Sequence, residues 1–264
     1  MTAEGLDALR GHFLAYVRDQ RSAATAERQP LHELKEQHSC RVAAHARRIA
    51  EREGWAERNC TIGEAAGWLH DTGRFDQINR YGTFRDKESV NHGEHGFRVL
   101  SELAWFTNCA GGNGLRALLL DAVRYHNRRE IPAHVPDGHR PILHLVRDAD
   151  KLDNFGVHYR AITSGEADRY PELLLHAGPG HPPTPEALEA LLRRETVDYG
   201  HVHSRTDMVL LHLSWLYDLH YPSSLRHARE EGVVDRVRAL LPDDPDIEEA
   251  IREAERFLDE TLSQ

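Results

Sequence analysis

The ten residues AAGWLHDTGR, 65–74, decide how this chain is read. Their apolar start continues a helical pattern that begins near Thr61, an imidazole and a carboxylate stand side by side at His70 and Asp71, and Gly73 follows at once as a helix breaker. A helix ending this way would place a ring nitrogen and a carboxylate where the next loop leaves room for a metal ion and water. In a chain with 19 histidines, a His-Asp dipeptide proves nothing alone. Its weight depends on what lies outward from it.

Upstream, Leu6, Leu9, Phe13 and Val17 form the stripe of an opening helix, and Val42, Ala43, Ala46 and Ile49 form the next, with His38 near its start and its end near Gly54. Downstream, helices are expected over about 92–106, 115–125 and 141–155, divided by the turn-rich segments CAGGNG (109–114) and PAHVPDGHRP (132–141). The segment DTGRFDQINRYGTFRDKESVN (71–91) has little periodicity and reads as a loop with short turns, of a length that is usually functional. HAGPGHPPTP (176–185) reads as a surface loop. Beyond it come a short helix near 186–194 and the apolar run DMVLLHLSWLYDL (207–219), with Ser204 and Asp207 at capping-box spacing. Two further amphipathic helices follow, the last opening at Pro245 and Asp246. His212, Trp215 and Asp218 read as core packing rather than chemistry. Strand-like alternation is scarce and no internal repeat is present, so the fold class is all-α.

Composition narrows the function. A chain of 264 residues with 40% hydrophobic and 29% charged residues is that of an ordinary globular protein. Lys and Arg number 33 against 43 Asp and Glu, giving a formal charge of −10 that disfavours a nucleic-acid polymer as partner. Cys40, Cys60 and Cys109 make no CxxC pair, which fits a reducing compartment. The first residues show no export signal and no later run approaches a membrane span, so cytoplasmic localisation without membrane association is expected.

Asp150 lies in RDADKLDN (147–154), on another apolar helix. A carboxylate in such surroundings is costly unless a cation compensates it, and one ion would account for Asp71 and Asp150 together. Two imidazoles and two carboxylates from His38, His70, Asp71 and Asp150 make a mixed N/O site suited to Mn, Fe, Co, Ni or Mg.

This set, in this order, with WLHDTGR and RDADKLD close to the usual wording, resembles the HD superfamily of metal-dependent phosphohydrolases. The resemblance covers about residues 30–160. It implies a helical HD bundle over 30–160, an N-terminal helix over 1–29 packing on that core, and a C-terminal helical extension over 161–264. It also implies that His38, His70, Asp71 and Asp150 bind a first metal. His92, four residues before Gly96 in VNHGEHG, and His126, in VRYHN, resemble the further ligands of binuclear members, so one or two divalent ions are expected, with Asp71 as the bridge. His95 is a rival ligand at the same place. His126 is followed by Asn127 rather than a second His, and no GYP element follows, which argues against cyclic di-GMP hydrolysis.

The expected activity is attack of metal-activated hydroxide on a phosphate ester of a small molecule, with a nucleotide as the expected class and Asp71 and Lys151 as catalytic residues. Lys151 is expected to face the phosphate. Arg74, Arg80, Asn127 and Arg128 are further candidates for substrate contact, a guanidinium being suited to bidentate binding of phosphate oxygens, and Tyr81 or Phe84 could stack on a base. Two divalent ions, two carboxylates and a hydroxide sum to about +1, enough to attract one compact anion. The same ligand order also serves a di-iron oxygenase of the myo-inositol oxygenase type. An HD nuclease and a non-catalytic nucleotide-sensing module are two further readings of the same residues.

Overall fold

The computed structural model describes residues 1–109, 111–174, 177, 178, 180 and 182–263, leaving out the side chain of Leu173. It is helical, and among the described residues the only β-type pairing is an isolated bridge between Gly178 and Ser204. The chain divides into two compact units, Met1–Asp153 and Asn154–Gln264.

In the first unit α1 (Ala3–Ala23) starts at Thr2, whose hydroxyl accepts from the Gly5 amide, and buries Leu6, Leu9, Phe13 and Val17 as its stripe requires. Phe13 meets Trp68 and Phe75 edge-on at ring separations of 5.9 and 5.8 Å. α2 (Gln29–Arg52) begins well before His38, because Pro30 opens it and Leu31 and His32 are already buried. His38 therefore sits in mid-helix rather than near the start. α3 (Glu57–Leu69) packs against α2 backbone to backbone: a Cβ on Gly67 would stand 2.7 Å from Ala43 Cα and 2.9 Å from Ala43 N.

The segment expected to be a loop, 71–91, is largely ordered helix. α4 runs Thr72–Tyr81, ends on Gly82 in the left-handed conformation (φ 69°), and is followed by a 3-10 turn, Asp86–Glu88. The sequence signal was obscured by Gly73, which here is no breaker. It is the point where α4 touches α5 (His92–Glu102), a contact that leaves no room for a side chain. Phe75 and Ile78, three residues apart, anchor the helix inside. α6 (Ala104–Cys109), α7 (Asn113–Tyr125) and α8 (Arg140–Thr163) complete this part of the chain, the unit boundary falling within α8.

The second unit holds α9 (Glu166–Arg169), α10 (Pro185–Leu192), α11 (Arg205–Ser214), α12 (Pro222–Glu230), α13 (Val233–Arg238) and α14 (Pro245–Leu262). Ser204 and Asp207 form the expected capping box, and α11 is buried from Thr206 to Ser214 before it tightens into a 3-10 turn over Trp215–Asp218. His212 stacks on His158 at 4.0 Å and lies 4.6 Å from Trp215. Three helices, not two, close the chain, because Gly232 (φ 62°) separates α12 from α13. The expected loop at 176–185 falls partly outside the described residues, as does Ala110 of CAGGNG. Among the described residues no helix is long and apolar enough to cross a membrane.

Candidate metal centre

Five parts of the first unit deliver side chains to one point. α2 supplies His38, the α3–α4 junction supplies His70 and Asp71, the start of α5 supplies His92, the end of α7 supplies His126, and α8 supplies Asp150. His70 and His126 play equivalent parts. Each follows the last residue of its helix, and each turns Nδ1 back to a carbonyl of that helix, Gly67 O and Val123 O, both at 2.8 Å. A carbonyl only accepts, so both Nδ1 atoms carry the proton and both Nε2 atoms present lone pairs inward.

The other two imidazoles are anchored by carboxylates. His38 Nδ1 lies 2.6 Å from Asp153 Oδ2, and Arg41 holds that same carboxylate through Nε at 2.6 Å. His92 Nδ1 lies 2.7 Å from Asp86 Oδ2. Asp86 in turn accepts from Arg74, Gln77 and Asn127, so the 3-10 turn is tied to α4, α5 and the end of α7.

The inward atoms form two sets. His38 Nε2 is 3.2 Å from His70 Nε2 and 3.1 Å from Asp150 Oδ1, while His92 Nε2 is 3.0 Å from His126 Nε2. Asp71 stands between them. Its Oδ2 is 3.6 Å from both His38 and His70 Nε2, and its Oδ1 is 3.5 Å from His92 Nε2 and 3.7 Å from His126 Nε2. With every Nδ1 acting as a donor, each neighbouring pair of neutral rings would point Nε2 lone pair at lone pair, which is repulsive unless a proton or a metal ion lies between. The residues therefore fit a divalent ion in each set. Groups of three ligating atoms within 4.8 Å of one another occur at His38–His70–Asp71, His70–His126–Asp150 and Asp71–His92–His126.

Charge states follow the same logic. Burial would raise the Asp71 carboxyl, but Lys35 and His70 hold it well below the usual range. Burial likewise opposes ionisation of Asp150, which His38 and His70 more than offset. Burial and Lys35 push the His38 imidazole down, yet Asp150 and Asp153 leave it raised overall. His70 is lowered to about 4 by burial. His92 is lowered to about 4 by burial and then by Arg74. Metal-free protein should therefore lose stability as pH falls from about 6.5 to about 4, because its folded state binds fewer protons than the unfolded chain at His70 and His92. The steepest slope should be roughly 1.4 kcal/mol per pH unit for each such histidine. His38 acts in the opposite sense and offsets part of this, whereas buried His212 in the second unit adds to it. Urea midpoints of chelator-treated protein over this window test the sign, and a midpoint that rises on acidification would contradict it.

The remaining sequence candidates have different surroundings. Arg74 Nη1 is held by Gln77 Oε1 at 2.8 Å, Phe84 O at 2.6 Å and Asp86 Oδ1 at 3.0 Å, and its Nε lies 3.7 Å from Asp71 Oδ1. Arg80 is exposed and paired with Asp76 at 2.6 Å. Asn127 lies beside His92 Nδ1, 3.1 Å away, and Asp86, with its Oδ1 buried and without a hydrogen-bond partner among the described residues. Arg128 is exposed, and Lys151 is half-buried next to Asp150. His95 is paired with Asp76 at 2.6 Å. Phe84 is buried and Tyr81 exposed, so Phe84 is not placed to stack on a base.

Sequence reasoning missed Lys35, Asp86 and Asp153. Asp153 was legible as the residue three after Asp150, on the same face of α8. Asp153→Ala would free the His38 ring and strand Arg41. We expect metal affinity to fall by about 10- to 100-fold, and less in Asp153→Asn, whose amide oxygen still accepts from Nδ1. Competition with a chelating dye measures both, and an unchanged affinity in the Ala variant would show that His38 needs no anchor.

Comparison with curated proteins and with solved structures returned no match. Residues 36–155, the span from α2 through most of α8 that carries all six converging residues, match the family model of the HD domain. HD domains are metal-dependent hydrolase domains, and the segment 36–155 of this helical chain is similar to one.

Proposed function

We propose that this HD domain binds two divalent metal ions and hydrolyses a phosphate ester of a small molecule, nucleotide-like in character. The observation that carries the reading is the placement of Asp71, one oxygen toward His38 and His70 and the other toward His92 and His126. A single carboxylate shared in this way suits a bridging ligand. The chemistry that two such ions supply when bound is Lewis acidity toward phosphoryl oxygens and an acidified water.

The chain's own groups do the rest. Asp153, Asp86 and the carbonyls of Gly67 and Val123 fix the ring orientations, so that little reorganisation is needed when substrate arrives. Asp150, whose side chain is 24% exposed against 3% for Asp71, is the more accessible carboxylate of the cluster, which supports approach of substrate from its side. A net charge of −10 favours a compact ester over DNA or RNA, and the three free cysteines fit a cytoplasmic protein.

Elemental analysis of purified protein, followed by phosphate release from a panel of mononucleotides, dinucleotides and phosphomonoesters beside single-stranded DNA and RNA, tests the proposal. Manganese, cobalt, nickel or magnesium with release from small esters supports it. Tightly bound iron with oxygen uptake and no phosphate release would replace it by the di-iron oxygenase reading, and cleavage of polymer alone would replace it by a nuclease.

A further inference from the structure

Lys35 lies on α2 one turn before His38 and one residue outside the segment that matches the HD family. Its ammonium is 2.7 Å from Asp71 Oδ2 and 5.5 Å from the centre of the Phe84 ring, and one-fifth of its side chain (20%) remains exposed. An ammonium has three N–H donors. Asp71 takes one, and among the described residues no other acceptor meets it. Neighbouring cations are committed elsewhere: Arg74 to three acceptors, Arg41 to Asp153, Arg80 to Asp76.

A positive charge against an oxygen that faces the metal site opposes metal binding, because like charges at this range repel even at high effective dielectric. Lys35 therefore weakens the first duty of the site, and its location needs a compensating role. An anion held between the ions and the ammonium removes the conflict, since it is attracted to all of them. The buried Phe84 ring has Lys35 Nζ 5.5 Å and Arg74 Cζ 5.6 Å from its centre, and its face attracts the ammonium.

We propose that Lys35 is a catalytic residue of this site, its two remaining N–H groups binding non-bridging oxygens of the substrate's phosphoryl group next to Asp71. The inference rests on the phosphohydrolase reading above and assigns to Lys35 the phosphate contact that motif reading gave to Lys151 and Arg74.

The test uses the full chain, with Mn²⁺ and inorganic phosphate as probes in calorimetric titrations of wild type, Lys35→Met, Lys35→Gln and Lys35→Arg. Met and Gln are good helix formers and keep much of the side-chain volume at a partly exposed position. Phosphate affinity of the Mn²⁺-loaded protein should fall by about tenfold or more in Lys35→Met and Lys35→Gln, and stay near wild type in Lys35→Arg. Affinity for Mn²⁺ alone should rise in the two neutral variants. A residue that merely braces Asp71 would give the reverse, weaker Mn²⁺ binding with unchanged phosphate affinity, and that pattern overturns the proposal. Equal phosphate affinity in wild type and both neutral variants also overturns it while leaving the phosphohydrolase reading intact. Failure of Mn²⁺-loaded wild type to bind phosphate removes that reading, and the role of Lys35 with it.

Discussion

Asp71→Ala is expected to strip both ions from the protein and to cut phosphate release by at least about 10³-fold, a loss of roughly 4 kcal/mol in transition-state stabilisation. Asp71 divides its two carboxylate oxygens between the two sets of imidazoles, so its loss removes a ligand from each. The variant also leaves Lys35 without its carboxylate partner, placing an uncompensated positive charge beside two candidate cation positions. His126→Ala offers the contrast, since it disturbs the His92 side of the cluster and leaves His38, His70 and Asp150 in place. Metal content after gel filtration reads both variants. Full retention of two ions by Asp71→Ala would sink the bridging assignment, whatever happened to turnover.

The second large effect is expected at a residue with no chemistry. In Gly73→Ala the new Cβ would stand 2.3 Å from His92 O, 2.6 Å from Gly96 N and 3.0 Å from Gly96 Cα. These are backbone atoms of α5, and no side-chain rotation relieves them. The helices must part, at a cost of about 3 kcal/mol or more in stability, and the part that moves carries His92. Loss of stability should thus come with loss of metal from the His92–His126 side. Gly11→Ala on α1 is the control, because nothing lies within 4 Å of its Cβ and helix propensity alone should stabilise it by roughly 1 kcal/mol. Urea midpoints compare the two. A Gly73→Ala protein as stable as wild type would mean that α4 and α5 can separate freely, contrary to their packing.

Most helices, His70, Asp71 and Asp150 were legible in sequence because each left a local mark, whereas His38, His92 and His126 were singled out through the motif resemblance. Leu6, Leu9, Phe13 and Val17 repeat at helical spacing, and His70-Asp71 and Asp150 sit in apolar contexts that charge alone would not choose. α4 was hidden because Gly73 carries the same letter whether it breaks a helix or admits a neighbouring one; only the position of α5 distinguishes the two cases. Asp86 left no mark either. It lies in a run of alternating charges, RDKE, where any carboxylate reads as solvated surface, and its contact with His92 depends on how α4 and the following turn fold back. Lys35 is the clearest case: a lysine on a helix is ordinarily a surface charge, and nothing in the sequence places it 36 residues away against Asp71. Motif wording pointed to basic residues adjoining the ligands in the chain, whereas the one nearest the shared carboxylate comes from another helix.

The anchoring of His38 has a kinetic side. Its two ring nitrogens meet Asp150 and Asp153, one helical turn apart on α8, and the contact with Asp153 spans 115 residues of chain. Closing a loop of that size costs about 4 kcal/mol in chain entropy beyond a constant term, far more than one hydrogen bond to a charged group returns. The pair can therefore hold only once the helices between have packed, and contacts of such sequence separation form slowly. During refolding, uptake of metal at His38 would thus be a clock for the completion of the first unit, lagging behind the helix signal that α1 to α3 can give on local contacts alone.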